Sequence, residues 1–237
     1  MQTQDIDYRA DAVMRGYLAF DESQTGPRPG VLVFHEGLGL GEFAMARALR
    51  LAELGYVALA ADMYGDRRQA RNLTEVAKLV GGLRGEPDIL RRRGHAALAT
   101  LAALPEVDTG RMAAIGFCFG GSVALELARD GADLKAAVSF HGVLTTSTPA
   151  APGRVKASVL VLTGADDPLA PPEQVAAFEA EMRAAEVRDW QVVAYGNTLH
   201  GFTNPAADGS MLRTALYSAQ ADRRSLASMR SLFDEVL

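Results

Sequence analysis

Short apolar runs alternate with longer amphipathic stretches along most of the chain. Buried strands are predicted at six apolar runs, residues 31–34, 56–60, 112–117, 135–140, 158–163 and 191–195, and a looser alternation predicts a first strand at residues 14–20. Helical spacing lies between or after them, at residues 44–54, 88–104, 122–129, 172–185 and again after Asn204 and Pro205. Strands that alternate with helices are typical of a mostly parallel, doubly wound sheet. The pattern predicts a single α/β domain over residues 1–237, with about 7–8 strands flanked by helices.

One stretch departs from this alternation. Residues 66–87 are polar and charged, and only residues 73–83 within them have helical spacing. Four arginines lie in the stretch: Arg67, Arg68, Arg71 and Arg84. We interpret it as an excursion that covers the functional site; the alternative is an ordinary solvated crossover.

Composition excludes several classes of function. The 237 residues carry a net charge of −5, so neither nucleic acid nor an anionic membrane is an expected partner. A single cysteine cannot form an intramolecular disulfide, and the polar N-terminus lacks the pattern of a signal peptide. No apolar run approaches the length of a membrane span, and no histidine or cysteine pair has metal-ligand spacing. We therefore expect a cytoplasmic protein that uses no metal.

The single cysteine lies in a segment suited to catalysis. Gly116-Phe117-Cys118-Phe119-Gly120-Gly121 follows a predicted strand and precedes a predicted helix. This strand–turn–helix setting is that of a nucleophile elbow, which lifts one reactive side chain above the sheet. Gly116 and Gly120 suit a turn where strand and helix approach closely. A lone cysteine is more often a buried structural residue, but the flanking glycines favour a nucleophile here.

A cysteine nucleophile needs a base and an acid that orients the base. Both follow the nucleophile along the chain in the hydrolase order, acid before histidine, and only His200 comes late enough. His35 and His141 each end a strand and are expected near the site, but their positions in the chain disqualify them as the base. The acid should lie in the loop after residues 158–163. Asp166 and Asp167 both fit, and the residues themselves do not choose between them.

With these motifs in place, the chain resembles the dienelactone hydrolase family of α/β-hydrolases. The resemblance covers nearly the whole chain and includes G-x-C-x-G-G at residues 116–121, G-x-x-D-x-x-x-P at residues 164–171 and the late His200. It implies an α/β-hydrolase fold, hydrolysis of small esters or lactones, and no cofactor. By position it makes Cys118 the nucleophile, His200 the base and Asp167 the orienting acid.

The resemblance also implies roles for residues around the triad. The backbone N–H groups of Phe119 and Gly37 would form an oxyanion hole. Glu36 would hold the cysteine before substrate binds, because a carboxylate disfavours a neighbouring thiolate. The residues expected to contact substrate are Asn204, Phe117, Tyr64 and Arg67.

Asn204 departs from the family pattern. In the best-known member this position is an arginine that clamps the carboxylate of the substrate, whereas an amide offers only neutral hydrogen bonds. A second clamping arginine lies in the excursion and cannot be assigned by spacing. The substitution predicts a preference for neutral esters or lactones over carboxylate-bearing ones.

Two other functions fit part of the sequence. Residues 39–44 match G-x-G-x-x-A after a strand, and Asp62 follows about 20 residues on, as in a dinucleotide site. Four residues separate this match from its strand, however, and Glu36 and Glu42 would repel a pyrophosphate. A ligand receptor on a hydrolase fold is the other alternative, since a fold does not determine function.

Overall fold

A computed structural model describes residues 1–237 and contains one eight-stranded sheet flanked by helices. The strands are Gln2–Arg9 (β1), Val13–Phe20 (β2), Arg28–Phe34 (β3), Val57–Ala61 (β4), Val107–Phe117 (β5), Ala136–Phe140 (β6), Ser158–Gly164 (β7) and Trp190–Tyr195 (β8). The helices are Glu42–Glu53 (α1), Leu73–Gly85 (α2), Pro87–Ala102 (α3), Phe119–Arg129 (α4), Pro172–Ala184 (α5) and Ala219–Val236 (α6). The strand order is β1-β2-β4-β3-β5-β6-β7-β8, and β1 and β2 are antiparallel to their neighbours while the rest are parallel. The predicted mostly parallel, doubly wound sheet is confirmed.

Strand β1 is absent from the sequence prediction. It lies at the edge of the sheet and pairs only with β2. Most of its side chains are polar and exposed, so no apolar run marks it. An edge strand of this kind is recognised by its backbone pairing, which composition does not report.

The helix expected directly after Asn204 and Pro205 begins later, at Ala219, so that prediction is wrong over residues 206–218. Side chains in this segment bond to nearby backbone instead: Asn204 accepts from the N–H of Ala206, and Asp208 from the N–H of Ser210, each at 2.9 Å. Such local turns compete with helix.

Apolar side chains on the two faces of the sheet form two cores. Val33 of β3 and Ile115 and Phe117 of β5 face α1 and α6, whereas Leu32 and Ala114 face the side of α3, α4 and α5. Successive side chains of a strand alternate between faces, so one strand contributes to both cores. The parallel strands are therefore buried on both sides, as their continuous apolar runs predict.

The loops after the parallel strands meet at one edge of the sheet, because parallel strands have their carboxyl ends together. The candidate residues occupy these loops: Glu36 and Gly37 after β3, Cys118 after β5, Asp167 after β7 and His200 after β8. None of the helices combines the length and apolarity needed to cross a bilayer.

Candidate active site

Cys118 lies at the tip of a tight turn between β5 and α4. Its backbone has φ 54° and ψ −115°, an unusual conformation for a residue other than glycine. A Cβ on Gly116 would lie 2.0 Å from the carbonyl oxygen of Gly120, and one on Gly120 would lie 2.2 Å from that of Phe34. Both positions therefore require glycine, as the sequence predicts. The turn leaves Cys118 partly exposed while its neighbours on both sides are buried.

Asp167 and His200 are joined by a buried hydrogen bond. His200 Nδ1 lies 2.8 Å from Asp167 Oδ2, and Asp167 Oδ1 accepts from the N–H of Leu169 at 2.8 Å. Because the carboxylate accepts, Nδ1 carries a proton, and Nε2 is the nitrogen left to exchange a proton with the nucleophile. Nε2 is buried and makes no hydrogen bond.

The structure distinguishes the two adjacent aspartates. Asp167 is 2% exposed and contacts His200, whereas the side chain of Asp166 is exposed and only its backbone N–H is engaged, with the carbonyl of Thr198. The aspartate that fills the D of the G-x-x-D pattern is the one beside the histidine.

Charge around His200 makes it a strong base. Burial by itself would lower its pKa, but negative charge on the Cys118 sulfur and the hydrogen bond and charge of Asp167 outweigh burial and raise the pKa to about 10. The two side chains are thus close enough to interact electrostatically. The ring is poised to hold a proton while the sulfur is charged.

Glu36 is held by Asn204 rather than by the cysteine. Both carboxylate oxygens accept from Asn204 Nδ2 at 3.1 Å, and no hydrogen bond joins Glu36 to Cys118. Burial raises the pKa of Glu36, while the Asn204 amide and a positive charge on His200 lower it. The expected pairing of Glu36 with Cys118 is therefore absent, because the nearby amide already satisfies the carboxylate. Asn204, expected to contact substrate, instead has its amide directed to Glu36.

Two backbone N–H groups near the turn have no acceptor in the protein. These are the amides of Gly37, in the loop after β3, and of Phe119, the first residue of α4. The N–H groups in the first turn of a helix, such as that of Phe119, have no intrahelical acceptor. Both amides are therefore free to bind an oxygen of a ligand. They are the two groups to which the family resemblance assigns an oxyanion hole.

Phe117 and Arg67 do not face the site, and their expected contact with substrate is wrong. Phe117 is fully buried in the core under α1, since alternation along β5 turns it to that face. Arg67 points to the first hairpin, where Nη2 donates to Asp5 Oδ1 at 2.6 Å and to the carbonyl of Gly16 at 2.7 Å. The turn preceding it is held by Asp62 and sends the side chain that way.

Tyr64 lies behind the oxyanion loop. Its hydroxyl donates to the carbonyl of Gly37 at 2.8 Å, and its ring stacks on Phe119 with centroids 5.7 Å apart. Burial raises the pKa of Tyr64, with a further contribution from negative charge on Cys118. The side chain is 8% exposed, so its main contacts are with the protein.

Helix α2 of the excursion packs on the same loop. A Cβ on Gly37 would lie 2.8 Å from Val76 Cγ1 and 3.6 Å from Val80 Cγ2.

At the end of α2, Arg84 Nη2 donates to Thr145 Oγ1 at 2.7 Å, and Arg84 makes no ion pair. Burial lowers the pKa of Arg84; the charge of Glu126 and, to a smaller extent, that of Cys118 act to raise it, and the charge of Arg129 acts to lower it. Arg84 lines a cleft of about 360 Å³ together with Ser122, one helical turn from Cys118. Among the four arginines of the excursion, Arg84 is therefore the candidate for contact with a substrate.

His141 has a structural role that the sequence does not reveal. It is fully buried, its Nδ1 accepts from the Cys118 N–H at 3.1 Å, and its Nε2 lies 2.8 Å from Thr203 Oγ1. The carbonyl of Thr203 accepts from Arg47, which pairs with Asp222. His141 thus connects the nucleophile turn to the histidine loop. Its place at the end of a strand predicts nearness to the site, but nothing local identifies partners this distant in the chain.

The geometry does not support a dinucleotide site. The carboxylate of Asp62 is fully buried and accepts from four backbone N–H groups, those of Arg15, Tyr64, Gly65 and Arg67. Its oxygens are engaged within the turn, so no acceptor faces outward for a ribose hydroxyl. The carboxylate of Glu36 also lies beside the glycine loop.

Comparison with known proteins agrees with this geometry. A family model described as the dienelactone hydrolase family matches residues 14–237. The solved structure of m3DLH is 46% identical to this chain with a TM-score of 0.95, and the match covers 100% of this chain and 98% of that one. A dienelactone hydrolase-like promiscuous phosphotriesterase, P91, from metagenomic libraries is 45% identical with a TM-score of 0.93. That match covers 99% of this chain and 98% of the P91 chain. A Yersinia pestis protein provisionally named carboxymethylenebutenolidase is 33% identical over 78% of this chain and 73% of its own length. The α/β-hydrolase fold implied by the sequence is confirmed.

Proposed function

Since the chain belongs to the dienelactone hydrolase family of carboxylic ester hydrolases, we propose that it cleaves small esters and lactones through a thioester formed on Cys118. The observation that carries the proposal is one group of residues in the loops at the carboxyl ends of the parallel strands. A cysteine stands on a strained turn, a buried Asp167–His200 pair lies beside it, and the amides of Gly37 and Phe119 have no partner. Each is a component that acyl transfer requires.

In the first half of the reaction the proton of the Cys118 thiol passes to His200 Nε2, where the raised pKa of the ring holds it. Asp167 supports this step by holding the Nδ1 proton, so that Nε2 is the nitrogen that faces the sulfur. The thiolate attacks the carbonyl carbon, and the developing oxyanion accepts hydrogen bonds from Gly37 and Phe119. His200 then protonates the leaving alkoxide, the C–O bond breaks, and the acyl group stays on sulfur.

In the second half His200 takes a proton from water as the water attacks the thioester. The tetrahedral intermediate uses the same two amides, and collapse releases the carboxylic acid while the proton returns to sulfur. In a lactone the leaving alkoxide stays attached to the acyl group, so both ends depart together. No step needs a cofactor.

Substitution of the cysteine tests the proposal. We expect Cys118→Ala to lose hydrolysis of p-nitrophenyl acetate by about a thousandfold or more. Wild type should take up one equivalent of iodoacetamide, because Cys118 is the only cysteine. Rapid mixing should show a burst of p-nitrophenol and an acetylated Cys118 by mass spectrometry. A Cys118→Ala variant that keeps most of the activity would refute the mechanism, and a burst without steady release would instead support a receptor.

A second candidate activity comes from one relative. The 45% identical P91 is described as a promiscuous phosphotriesterase. We propose paraoxon as the probe: the Cys118 thiolate would attack phosphorus and release p-nitrophenol. Repeated turnover would support this activity, whereas a single equivalent of p-nitrophenol, with a stable adduct on Cys118, would limit the protein to carboxylic esters.

A further inference from the structure

His35 is a buried histidine beside the site that the reaction above leaves unused. It is 0% exposed and follows directly after β3. Its Nε2 accepts from the backbone N–H of Met63 at 3.2 Å, so the ring proton must lie on Nδ1. Nδ1 then donates to the carbonyl oxygen of Glu36 at 2.6 Å. Burial lowers the pKa of His35 and keeps the ring neutral, which preserves this single arrangement of donor and acceptor.

The carbonyl of Glu36 belongs to the same peptide group as the N–H of Gly37. A trans peptide is planar, so its C=O and N–H point in opposite directions. Two donors hold the oxygen, His35 Nδ1 at 2.6 Å and the N–H of Gly39 at 3.1 Å. The direction of the Gly37 N–H is therefore set by what binds the Glu36 oxygen on the other side.

The position needs such control because Gly37 has no Cβ. Glycine gives the peptide a freedom to rotate that other residues lack. A rotated peptide would present a carbonyl oxygen where the N–H now lies, and would repel a developing oxyanion. Rotation would also leave the His35 donor buried without an acceptor, which is unfavourable. The hydroxyl of Tyr64, on the Gly37 carbonyl at 2.8 Å, holds the next peptide in the same way.

We infer that His35 is a positioning residue that orients the Glu36–Gly37 peptide and so assembles one half of the oxyanion hole. The inference rests on the proposed function, in which Gly37 N–H receives the oxyanion. His35 itself contacts neither substrate nor Cys118. It acts through the peptide that it holds.

Two amide substitutions separate the two nitrogens of His35. The amide nitrogen of His35→Asn falls near the place of Nδ1 and can still donate to Glu36. The amide of His35→Gln falls near the place of Nε2, where it can accept from Met63 but leaves the Glu36 carbonyl without its ring donor. We expect kcat to fall about 10- to 100-fold in His35→Gln, below the full loss of one oxyanion donor. His35→Asn should stay within about threefold of wild type, and KM should change little in both.

Alkylation distinguishes orientation of the peptide from general damage. Iodoacetamide reacts with the Cys118 thiolate by displacement at carbon and forms no oxyanion. Its rate should therefore be the same in wild type and in both variants, while affinity for a trifluoromethyl ketone, which adds to the thiolate and forms an oxyanion, should fall in parallel with kcat in His35→Gln. Equal kcat losses in the two variants, or a matching loss of alkylation rate, would overturn the inference.

A safer variant covers the case in which His35→Gln does not fold. Tyr64→Phe deletes only the hydroxyl that holds the Gly37 carbonyl, and we expect a several-fold lower kcat with an unchanged alkylation rate. An unchanged kcat would count against the positioning of this loop. If wild type shows no acylation of Cys118 at all, the proposed function fails first, and that result is separate from any difference among these variants.

Discussion

Replacement of Asp167 by asparagine should nearly abolish catalysis, whereas the same replacement of the adjacent Asp166 should have little effect. Asp167 is 2% exposed and both of its oxygens are engaged, Oδ2 with His200 Nδ1 and Oδ1 with the N–H of Leu169, each at 2.8 Å. In Asp167→Asn the amide oxygen keeps the bond to Leu169. The NH₂ group then faces Nδ1 of His200, and two donors cannot share that position.

The histidine responds by changing tautomer. Nδ1 becomes the acceptor and the proton moves to Nε2, so the nitrogen that should take the Cys118 proton already carries one. A comparable substitution in the serine-protease triad lowers kcat by about ten-thousandfold. We expect a loss of about 10³ to 10⁴ here, equivalent to about 4–5.5 kcal/mol of transition-state stabilisation. The negative charge that helps to raise the pKa of His200 is lost as well.

The assay compares kcat for p-nitrophenyl acetate in the two variants, with urea denaturation to show that both are folded. Asp166→Asn should stay within about twofold of wild type, because the Asp166 side chain is exposed and makes no hydrogen bond. The reasoning would be refuted if Asp167→Asn kept more than about a tenth of the activity. A larger loss in Asp166→Asn would move the orienting acid to Asp166.

Three further outcomes are expected. Gly116→Ala should destabilise the fold by about 3 kcal/mol or more, because its Cβ would lie 2.0 Å from a backbone oxygen. Gly81→Ala, at an exposed helix position with free space around it, should stabilise the fold by about 0.5–1 kcal/mol. Urea denaturation measures both variants, and a tolerated Gly116→Ala would contradict the tight turn. The His200 ring should titrate near pH 10 by NMR in wild type, and at lower pH in Cys118→Ala. Because this pKa lies above the ordinary 6.5, protonation of the ring stabilises the fold below pH 6.5, and that stabilisation is lost as the pH rises towards 10. An unchanged midpoint in Cys118→Ala would show that the sulfur does not set this pKa. Wild type should have a higher kcat/KM for a neutral ester than for a carboxylate-bearing lactone. The reason is that Asn204 supplies no cation and its amide is bound to Glu36. The reverse preference would make Arg84 the first residue to substitute.

Substrate identity depends on groups that the proposed triad does not include. The cleft beside α4 contains Arg84, which is half-buried and makes no ion pair; Glu126, in the same cleft, is paired with Arg91 and Arg129 instead. A guanidinium of this kind can bind an anionic group of a ligand, whereas the bound amide of Asn204 cannot attract one. Comparison of neutral and anionic substrates in Arg84→Gln and wild type would therefore assign the preference to this residue or exclude it.

Sequence patterns determine the fold class and indicate the residues of the proposed triad. The periods of apolar residues distinguish buried strands from helices. They fail where packing does not leave that pattern: at the polar edge strand β1, at the start of β5 before residue 112, and over residues 206–218. The glycines around Cys118 are predictable because close approach of backbone excludes every other residue. The order of cysteine, acid and histidine along the chain is also a property of the sequence.

Only the tertiary structure decides which side chains meet. Asp166 and Asp167 are adjacent, and only their burial separates their roles. The sequence assigns Glu36 to the cysteine, but Asn204, 168 residues away, binds it instead. His35 gives no sequence signal beyond its place at a strand end, and its two hydrogen bonds define its role. Local propensity acts over a few neighbouring residues, whereas the direction of a side chain or a peptide depends on partners that only folding brings within hydrogen-bonding distance.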